Sequence, residues 1–578
     1  IGGFAGTETG VSQRDLAANP TILSGDIDRD GTFRQNSYTV VRTIVVDTNT
    51  QVDGFTITLG NADGVAASLE DLKSSGGGWY NGIQSGSDAS PLIRNCRFVR
   101  NQARGFGGAM YNEGSESGKC KPRFFNCVFE SNTSGYDGGA LYNTGAEGGA
   151  CEPYFMNCKF MSNRAGTVEG SGGAMLNNGI NGSCRPVLLN CELSQNVASL
   201  DGGAVYNHGK GGKSNPLLVN CTLYNNQAGA GGAIYNLGSE DGESNPDIIN
   251  CTFYANEASA GGAMYNLGGT DGVTEPRVIN SIFSKNTAKD GPAFFNIEAA
   301  PKVSFCLVDL PDCPYLNAVG PQFTPPPCGE GIIFGFQPQF VDPENNNFRL
   351  QYNSPAIDRG NNEVLEELAS RLGGGFRIVL DRVDIGAFEY DGPPPTRVNT
   401  FWLTPATPDG VNVHWFTMRE YLNQGFQIER STDNDRFFPI AWIPGKTDTV
   451  GRRDSLWLDA AARRGLTYFS RIRRFNLDQS FEFSEVAQIY LPVEKGNIEI
   501  FPNPAHERIK VALYVPEAQE VLLEVYAPSG QLVLRQTQDL PVGRQEISLH
   551  LPTATAGIYY VSVIFLDARV VLPVVIKP

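Results

Sequence analysis

Apolar and polar positions alternate in short runs through the first half of the chain. In Leu217-Leu218-Val219-Asn220-Cys221-Thr222-Leu223, the set Leu217, Val219, Cys221 and Leu223 alternates with Leu218, Asn220 and Thr222. This predicts a strand with one apolar and one mostly polar face. The run recurs in phase as NCRF from Asn95, NCVF from Asn126, NCKF from Asn157, NCEL from Asn190, NCTL from Asn220, NCTF from Asn250 and NSIF from Asn280. An Asn follows each Phe or Leu, at Asn101, Asn132, Asn163, Asn196, Asn226, Asn256 and Asn286, and a Pro precedes each block. A second block keeps step with the first: GGGWYN from Gly76, GGAMYN from Gly107, GGALYN from Gly138, GGAMLN from Gly172, GGAVYN from Gly202, GGAIYN from Gly231, GGAMYN from Gly261 and GPAFFN from Gly291. The steps between them are 31, 31, 34, 30, 29, 30 and 30 residues. Each repeat reads as two short strands between Gly and Asn turns. YTVVRTIVV from Tyr38 and VDGFTITLG from Val52 add strands of the same style.

A unit of about 30 residues with one-sided strands cannot bury its own apolar face, whereas stacked copies bury a continuous one. Strands and turns without helices do this as a parallel β-helix, one repeat per coil, with coils about 4.8 Å apart. Equivalent residues then form ladders. Cys96, Cys127, Cys158, Cys191, Cys221 and Cys251 are expected to stack as small apolar side chains inside. Asn112, Asn143, Asn207, Asn236 and Asn266 are expected to bond one another, because stacked amides offer both donor and acceptor. The paired Gly suit a tight corner. These ladders read as structural, since a catalytic residue has no need to recur in every coil.

The GGA-plus-aliphatic block paired with F-x-x-N resembles the repeats of polymorphic outer-membrane proteins and related surface β-helices, over about residues 76 to 296. Leu193 and Leu223 stand where that family has Phe, and Pro292 breaks the last copy. Members are mostly surface adhesins, which implies a contact role. Residues 337 to 390, with PQFVD from Pro338, NSPAID from Asn353 and VDIGAFE from Val383, resemble the closing segment of bacterial surface β-helices and are expected to cap the open coil edge. Residues 397 to 494, with VNVHW from Val411, GFQIERS from Gly425 and YFSRI from Tyr468, resemble the immunoglobulin or fibronectin III-like spacer that precedes secretion tails in Bacteroidota. In residues 495 to 578, the order Pro502-Asn503-Pro504, Gly530, Gly557, Tyr559 and Lys577 is similar to the C-terminal sorting domain of type IX secretion clients. That resemblance implies export across the outer membrane, with the secretion translocon and its outer-membrane shuttle barrel as partners. The predicted fold class is all-β: a right-handed parallel β-helix over residues 1 to 392, then two β-sandwich modules.

Composition sharpens this picture. Of 578 residues 66 are Gly, mostly before residue 300, and the formal net charge is -17. That charge is divided as -16 before Arg397 and -1 from there on, with the Pro-rich spacer Gly392 to Pro395 between. An acidic chain is a poor nucleic-acid binder, and no apolar run reaches the roughly 18 residues of a membrane-spanning helix. The opening Ile1-Gly2-Gly3-Phe4 lacks a charged and then apolar leader, so a processed or truncated N-terminus is inferred. Cys120, Cys151 and Cys184 fall at matching places in successive repeats, within disulfide reach if coils stack, so that at least one of the three pairs elsewhere or stays free; Cys306, Cys313 and Cys328 lie in a Pro-rich loop that suits a bridge from Cys313 to Cys328, and oxidation of both sets is expected.

Parallel β-helices also carry polysaccharide lyases and hydrolases, which need paired carboxylates or a base beside an acidic Ca²⁺ site. No coil replaces the ladder pattern with such a cluster, so no catalytic residue is assigned. His208, Lys210 and Lys213 share one turn loop that reads as a solvated tip. Asp26, Asp28 and Asp30 before Gly31 resemble the start of a calcium loop, although Ser37 stands where the closing Glu belongs. No other cofactor is expected. The resulting expectation is a non-enzymatic surface protein that touches surface glycans or host and neighbouring cells through its turn loops, such as 113 to 121. The rivals are a glycan-active or glycan-binding β-helix, which an acidic groove with convergent carboxylates would favour, and a filament subunit.

Overall fold

The sequence repeat becomes a spatial one. The computed structural model describes residues 1–578 except 66–67, 85, 167–168, 312–315, 320–328, 373–381, 391–397, 399, 407–409, 421–422, 447–448, 477–480, 493–497, 516, 553, 567–568 and 578. Cys313, Cys328 and the Gly392 to Pro395 spacer therefore lie outside the described residues. A parallel β-solenoid of about nine turns spans residues 21–297, and antiparallel sheets follow in the C-terminal region.

One coil shows how the turns are built. Arg123–Phe125 lies in one wall, Val128–Glu130 in a second and Leu141–Thr144 in a third. The two-residue ladders Thr133–Ser134 and Ala150–Cys151 close the corners. Among the described residues the three walls hold 9, 11 and 10 strands, each paired in parallel with its equivalent in the next coil.

This corrects the two-strand reading of the repeat. The run Leu217 to Leu223 is two strands, Leu217–Val219 and Thr222–Tyr224, broken at Asn220 with φ of 53°. A left-handed residue turns the chain through a corner, and the alternation does not carry across it. Leu218, Cys221 and Leu223 consequently face the interior, while Leu217 and Val219 face outward. The equivalent corners Asn95, Asn126, Asn157 and Asn190 share this φ, at 51° to 54°. Asn tolerates that region at little cost.

The interior is a stack of like apolar side chains. Phe98, Phe129 and Phe160 lie ring on ring at 4.7 and 4.8 Å, and Phe253 and Phe283 resume the row at 4.7 Å beyond Leu193 and Leu223. The paired glycines sit where side chains do not fit. Gly107 has φ of 62°, and a Cβ on Gly108 would stand 2.4 Å from the Thr133 carbonyl oxygen of the next coil.

Among the described residues, the segment after residue 337 lies along the flank of the solenoid, where a cap over its edge was expected. The hairpin Phe340–Asp342 and Asn347–Leu350 sets Phe340, Phe348 and Leu350 against Tyr224, Tyr254, Ile282 and Leu307. The helix Glu363–Leu372 lays Val364, Leu365 and Leu368 on the outward-facing Leu189, Leu217, Val219 and Ile249. Those outward apolar residues are what require a cover, because an exposed apolar strip of that length would invite association. Ions pin the helix: Arg277 bonds Asp247 at 2.8 Å and Glu367 at 2.7 and 2.8 Å, and Arg371 bonds the other Asp247 oxygen at 2.7 Å.

The chain divides into two compact units, Ile1–Gly392 and Pro393–Pro578. The second contains two antiparallel sandwiches with separate cores. One is built around Trp415, Phe426, Ile428, Tyr468 and Ile472, the other around Val511, Leu523, Val561 and Val574.

Candidate functional site

The interior ladders bond along their own length. Asn112 donates from Nδ2 to Asn143 Oδ1 at 2.8 Å, and the row continues through Asn177, Asn207, Asn236 and Asn266 to Asn296 at 2.8 to 3.0 Å. A second row, Asn101 to Asn286, is tighter still. Asn132 Nδ2 bonds both the Phe98 carbonyl and Asn163 Oδ1, which also accepts the Asn132 backbone N–H. A buried amide so engaged has nothing left for a ligand. The six Cys of the interior column are buried thiols among Phe, Leu and Met, and burial pushes Cys127, Cys191 and Cys251 well up. Cys306, expected in a Pro-rich loop, is instead buried in the same core cluster, where burial raises its thiol as well. Cys120, Cys151 and Cys184 do stack in register, yet they too are free thiols, against the expected bridges.

Chemistry is found outside, where turn loops of successive coils meet. A groove of about 530 Å³ is lined by Glu70, Glu113, Glu116 and Glu147, with Tyr80, Ile83, Ala146 and Ile180 as its apolar walls. Register explains the acidity: Glu116 and Glu147 occupy the same left-handed turn position of adjacent coils, with φ of 51° and 50°. Burial, helped by the neighbouring Glu113 charge, holds the Glu70 carboxyl above its ordinary value. Asn178 and Ser115 complete the lining, and Asn178 donates to the Tyr142 hydroxyl at 3.0 Å.

Behind the groove runs a row of outward tyrosines. Tyr80, Tyr111 and Tyr142 stack at 5.1 and 5.3 Å, and Tyr206, Tyr235 and Tyr265 at 5.1 and 4.8 Å. Two further acids flank this row. Asp137 and Asp201 are each pushed up to about 6, chiefly by burial, and for Asp201 also by the Asp137 charge.

Sequence reasoning placed the loop 113 to 121 at the surface but missed the groove. Glu70 comes from the irregular stretch before the first full repeat, and nothing in its local spacing points to Glu113. The repeated acid at one turn position was the available signal. His208, Lys210 and Lys213 do share one turn region. Their charges are already matched, Lys210 to Glu240 at 2.9 Å and Lys213 to Glu243 at 3.1 Å. His208 packs edge-on against Tyr206, and its burial lowers it to about 4.

The three Asp of the expected calcium loop converge, with one carboxylate oxygen from each of Asp26, Asp28 and Asp30 lying within 4.8 Å of the others. Asp26 is also engaged by the backbone N–H groups of Asp30 and Gly31 at 3.2 and 3.0 Å. Ser37 turns away, donating to the Thr39 carbonyl at 2.7 Å. Hard oxygen donors of this kind suit Ca²⁺.

In the last sandwich the motif residues tie the start of the domain to its final strand. Asn503, between Pro502 and Pro504, accepts from the Val575 N–H at 2.9 Å and donates to the Pro573 carbonyl at 3.3 Å. Lys577 donates its backbone N–H to the Ala505 carbonyl at 2.7 Å and exposes its side chain. Gly530 closes a hairpin with φ of 83°. A Cβ on Gly557 would press on Pro528 at 2.8 Å, and the buried Tyr559 hydroxyl accepts from the Thr555 N–H at 3.0 Å.

Comparison with known proteins agrees with this architecture. Residues 499–577 match the secretion system C-terminal sorting domain family. Residues 126–144 and 220–237 match the Chlamydia polymorphic membrane protein repeat. No curated protein matches. Three solved structures align with parts of the chain at a TM-score of 0.14, too low to carry an argument. Dimeric latent PorU from Porphyromonas gingivalis is 14% identical over 32% of this chain, which spans 20% of that structure. Chicken CNTN1 FN1-FN3 domains are 12% identical, covering 34% of this chain and 69% of that one. The alpha-L-rhamnosidase from Dictyoglumus thermophilum is 10% identical, covering 29% and 27%. The chain is thus a parallel β-helix with polymorphic-membrane-protein-like repeats and a type IX sorting domain. That domain indicates export across the outer membrane to the cell surface or the extracellular space. No helix among the described residues is long and apolar enough to cross a membrane.

Proposed function

We propose that this exported β-helix works by contact, as an adhesive or structural surface protein, and that the acidic groove is its recognition patch. The observation that carries the reading is the division of labour within the coil. The interior Asn rows spend their amides on one another from coil to coil, while four glutamates gather on the turn loops that line the groove. Four glutamates beside a Tyr wall suit a cationic, partly apolar group, such as an amino sugar or a Lys-rich peptide. Retention of the full chain on chitosan at about 0.15 M salt tests this. Joint Glu113→Gln, Glu116→Gln and Glu147→Gln substitution is expected to abolish retention, and retention unchanged by it would overturn the reading.

A glycan-cleaving enzyme is the second reading, and one observation favours it: burial and the Glu113 charge raise the Glu70 carboxyl above its ordinary value, the pattern of an acid beside a carboxylate partner. Viscosity of polysaccharide solutions separates the two. Contact alone leaves viscosity unchanged, whereas a fall that disappears in Glu70→Gln would establish cleavage.

A further inference from the structure

The sandwich spanning residues 400 to 490 carries a second surface, unrelated to the groove. Three strands of one sheet, Asn423–Ser431, Thr467–Asn476 and Phe481–Phe483, turn alternate residues outward. Register fixes which ones: Phe475 faces Phe481 across the ladder, Arg473 faces Phe483, and Gln427 stands between Arg473 and Trp442. The inward set, Phe426, Ile428 and Ile472, forms the core. Because Gly425 has no side chain, Trp442 leans across it onto Phe475. A Cβ on Gly425 would meet the indole at 2.6 Å, and the two rings lie 5.5 Å apart.

The result is a continuous aromatic strip. Trp442, Phe475, Phe481 and Phe483 follow one another at centroid distances of 5.5, 5.8 and 5.6 Å, each ring turned from the last by 57°, 47° and 74°. Trp442, Phe481 and Phe483 are 43%, 45% and 46% exposed, which is unusual for large apolar side chains held on regular strands. In the middle of the strip lies Arg473. Its guanidinium stands 3.6 Å from the Phe481 centroid and 4.8 Å from that of Phe475. Its Nε is buried without a hydrogen-bond partner, and among the described residues it makes no ion pair. Its neighbour Arg471, by contrast, is neutralised by Glu429 at 2.8 Å.

We infer that this face is a binding site for a carboxylate-bearing polysaccharide, a chain of uronic acids. Aromatic faces stack on the apolar faces of sugar rings. The successive rotation of the rings suits a chain whose sugars turn from one to the next. The planar guanidinium, without an ion pair among the described residues, supplies the forked donor set that a carboxylate matches. A neutral glycan offers this cation no counter-charge, which gives selectivity for the acid. The net charge of -1 from Arg397 onward does not oppose such a ligand, and at about 0.15 M salt the acidic β-helix is screened beyond roughly 8 Å.

The test is affinity electrophoresis of the full chain in gels containing sodium polygalacturonate or the same polymer fully methyl-esterified. Retardation by the free acid alone is expected. Arg473→Gln should weaken it about tenfold or more, and Trp442→Ala should weaken it while leaving the thermal melt unchanged. If Arg473→Gln proves unfolded, Arg473→Lys keeps the charge without the fork and should still lose most of the retardation. Equal retardation by both polymers, none by the acid, or wild-type retardation in Arg473→Gln overturns the site. So does a concentration-dependent dimer that Trp442→Ala abolishes, since the strip would then pair two copies of this chain.

Discussion

An asparagine at a corner of this solenoid has two tasks, accepting a left-handed backbone and passing an amide bond to its equivalent in the next coil. Asn126 Nδ2 donates to Asn95 Oδ1 and Asn157 Nδ2 to Asn126 Oδ1, both at 3.2 Å, along the outer corner. Such roles follow from residue type and could be read in advance. The acids were harder, because their behaviour depends on what covers them. Asp137 accepts the Ser171 N–H at 2.8 Å yet is pushed up to about 6 by burial. An acid raised in the folded state binds its proton more tightly there than in the unfolded chain. Its contribution to stability therefore falls as pH rises from about 4 to about 6 and stays unfavourable above that. Asp137→Asn keeps the acceptor and removes the charge. Denaturant melts should show it more stable than wild type by on the order of 1 kcal/mol at pH 7.5 and equal at pH 4. A difference of the same size at both pH values would show that something other than charge burial is at work.

At the scale of elements, the repeat length, the parallel stacking and the ladder positions were legible because a fixed period repeated many times leaves few alternatives. The phase of the strands was not. Alternation across Leu217 to Leu223 put Leu217 and Val219 inside, and the corner at Asn220 put them outside, under a helix. That helix was invisible for a related reason: its apolar partners had already been assigned to the core. Leu368 is fully buried there. Leu368→Ala should loosen the helix by roughly 2 to 4 kcal/mol. Hydrogen exchange over residues 363–372 would then quicken while the coil strands stay protected. Uniform quickening of both would mean that helix and coils open as one unit. The groove was illegible on the same grounds, since Glu70 and Glu147 meet only once coils from separate stretches of chain are stacked.

For the whole molecule, the sorting domain sets the destination and the β-helix supplies the surface. Removing residues 499–577 should leave the remaining chain retained inside the outer membrane, as a fractionation blot would show. Export unchanged by that deletion would contradict the assignment. The Asn112 to Asn296 row carries a further implication. Every amide in it donates in the same direction, and each new coil supplies the acceptor that the one before requires. At Asn296 the series stops with Nδ2 unpartnered. No closure condition of the kind that fixes strand number in a barrel applies here. The length of the solenoid is thus a matter of how many repeat units the coding sequence carries, open to lengthening or shortening by whole coils without redesign of any single one.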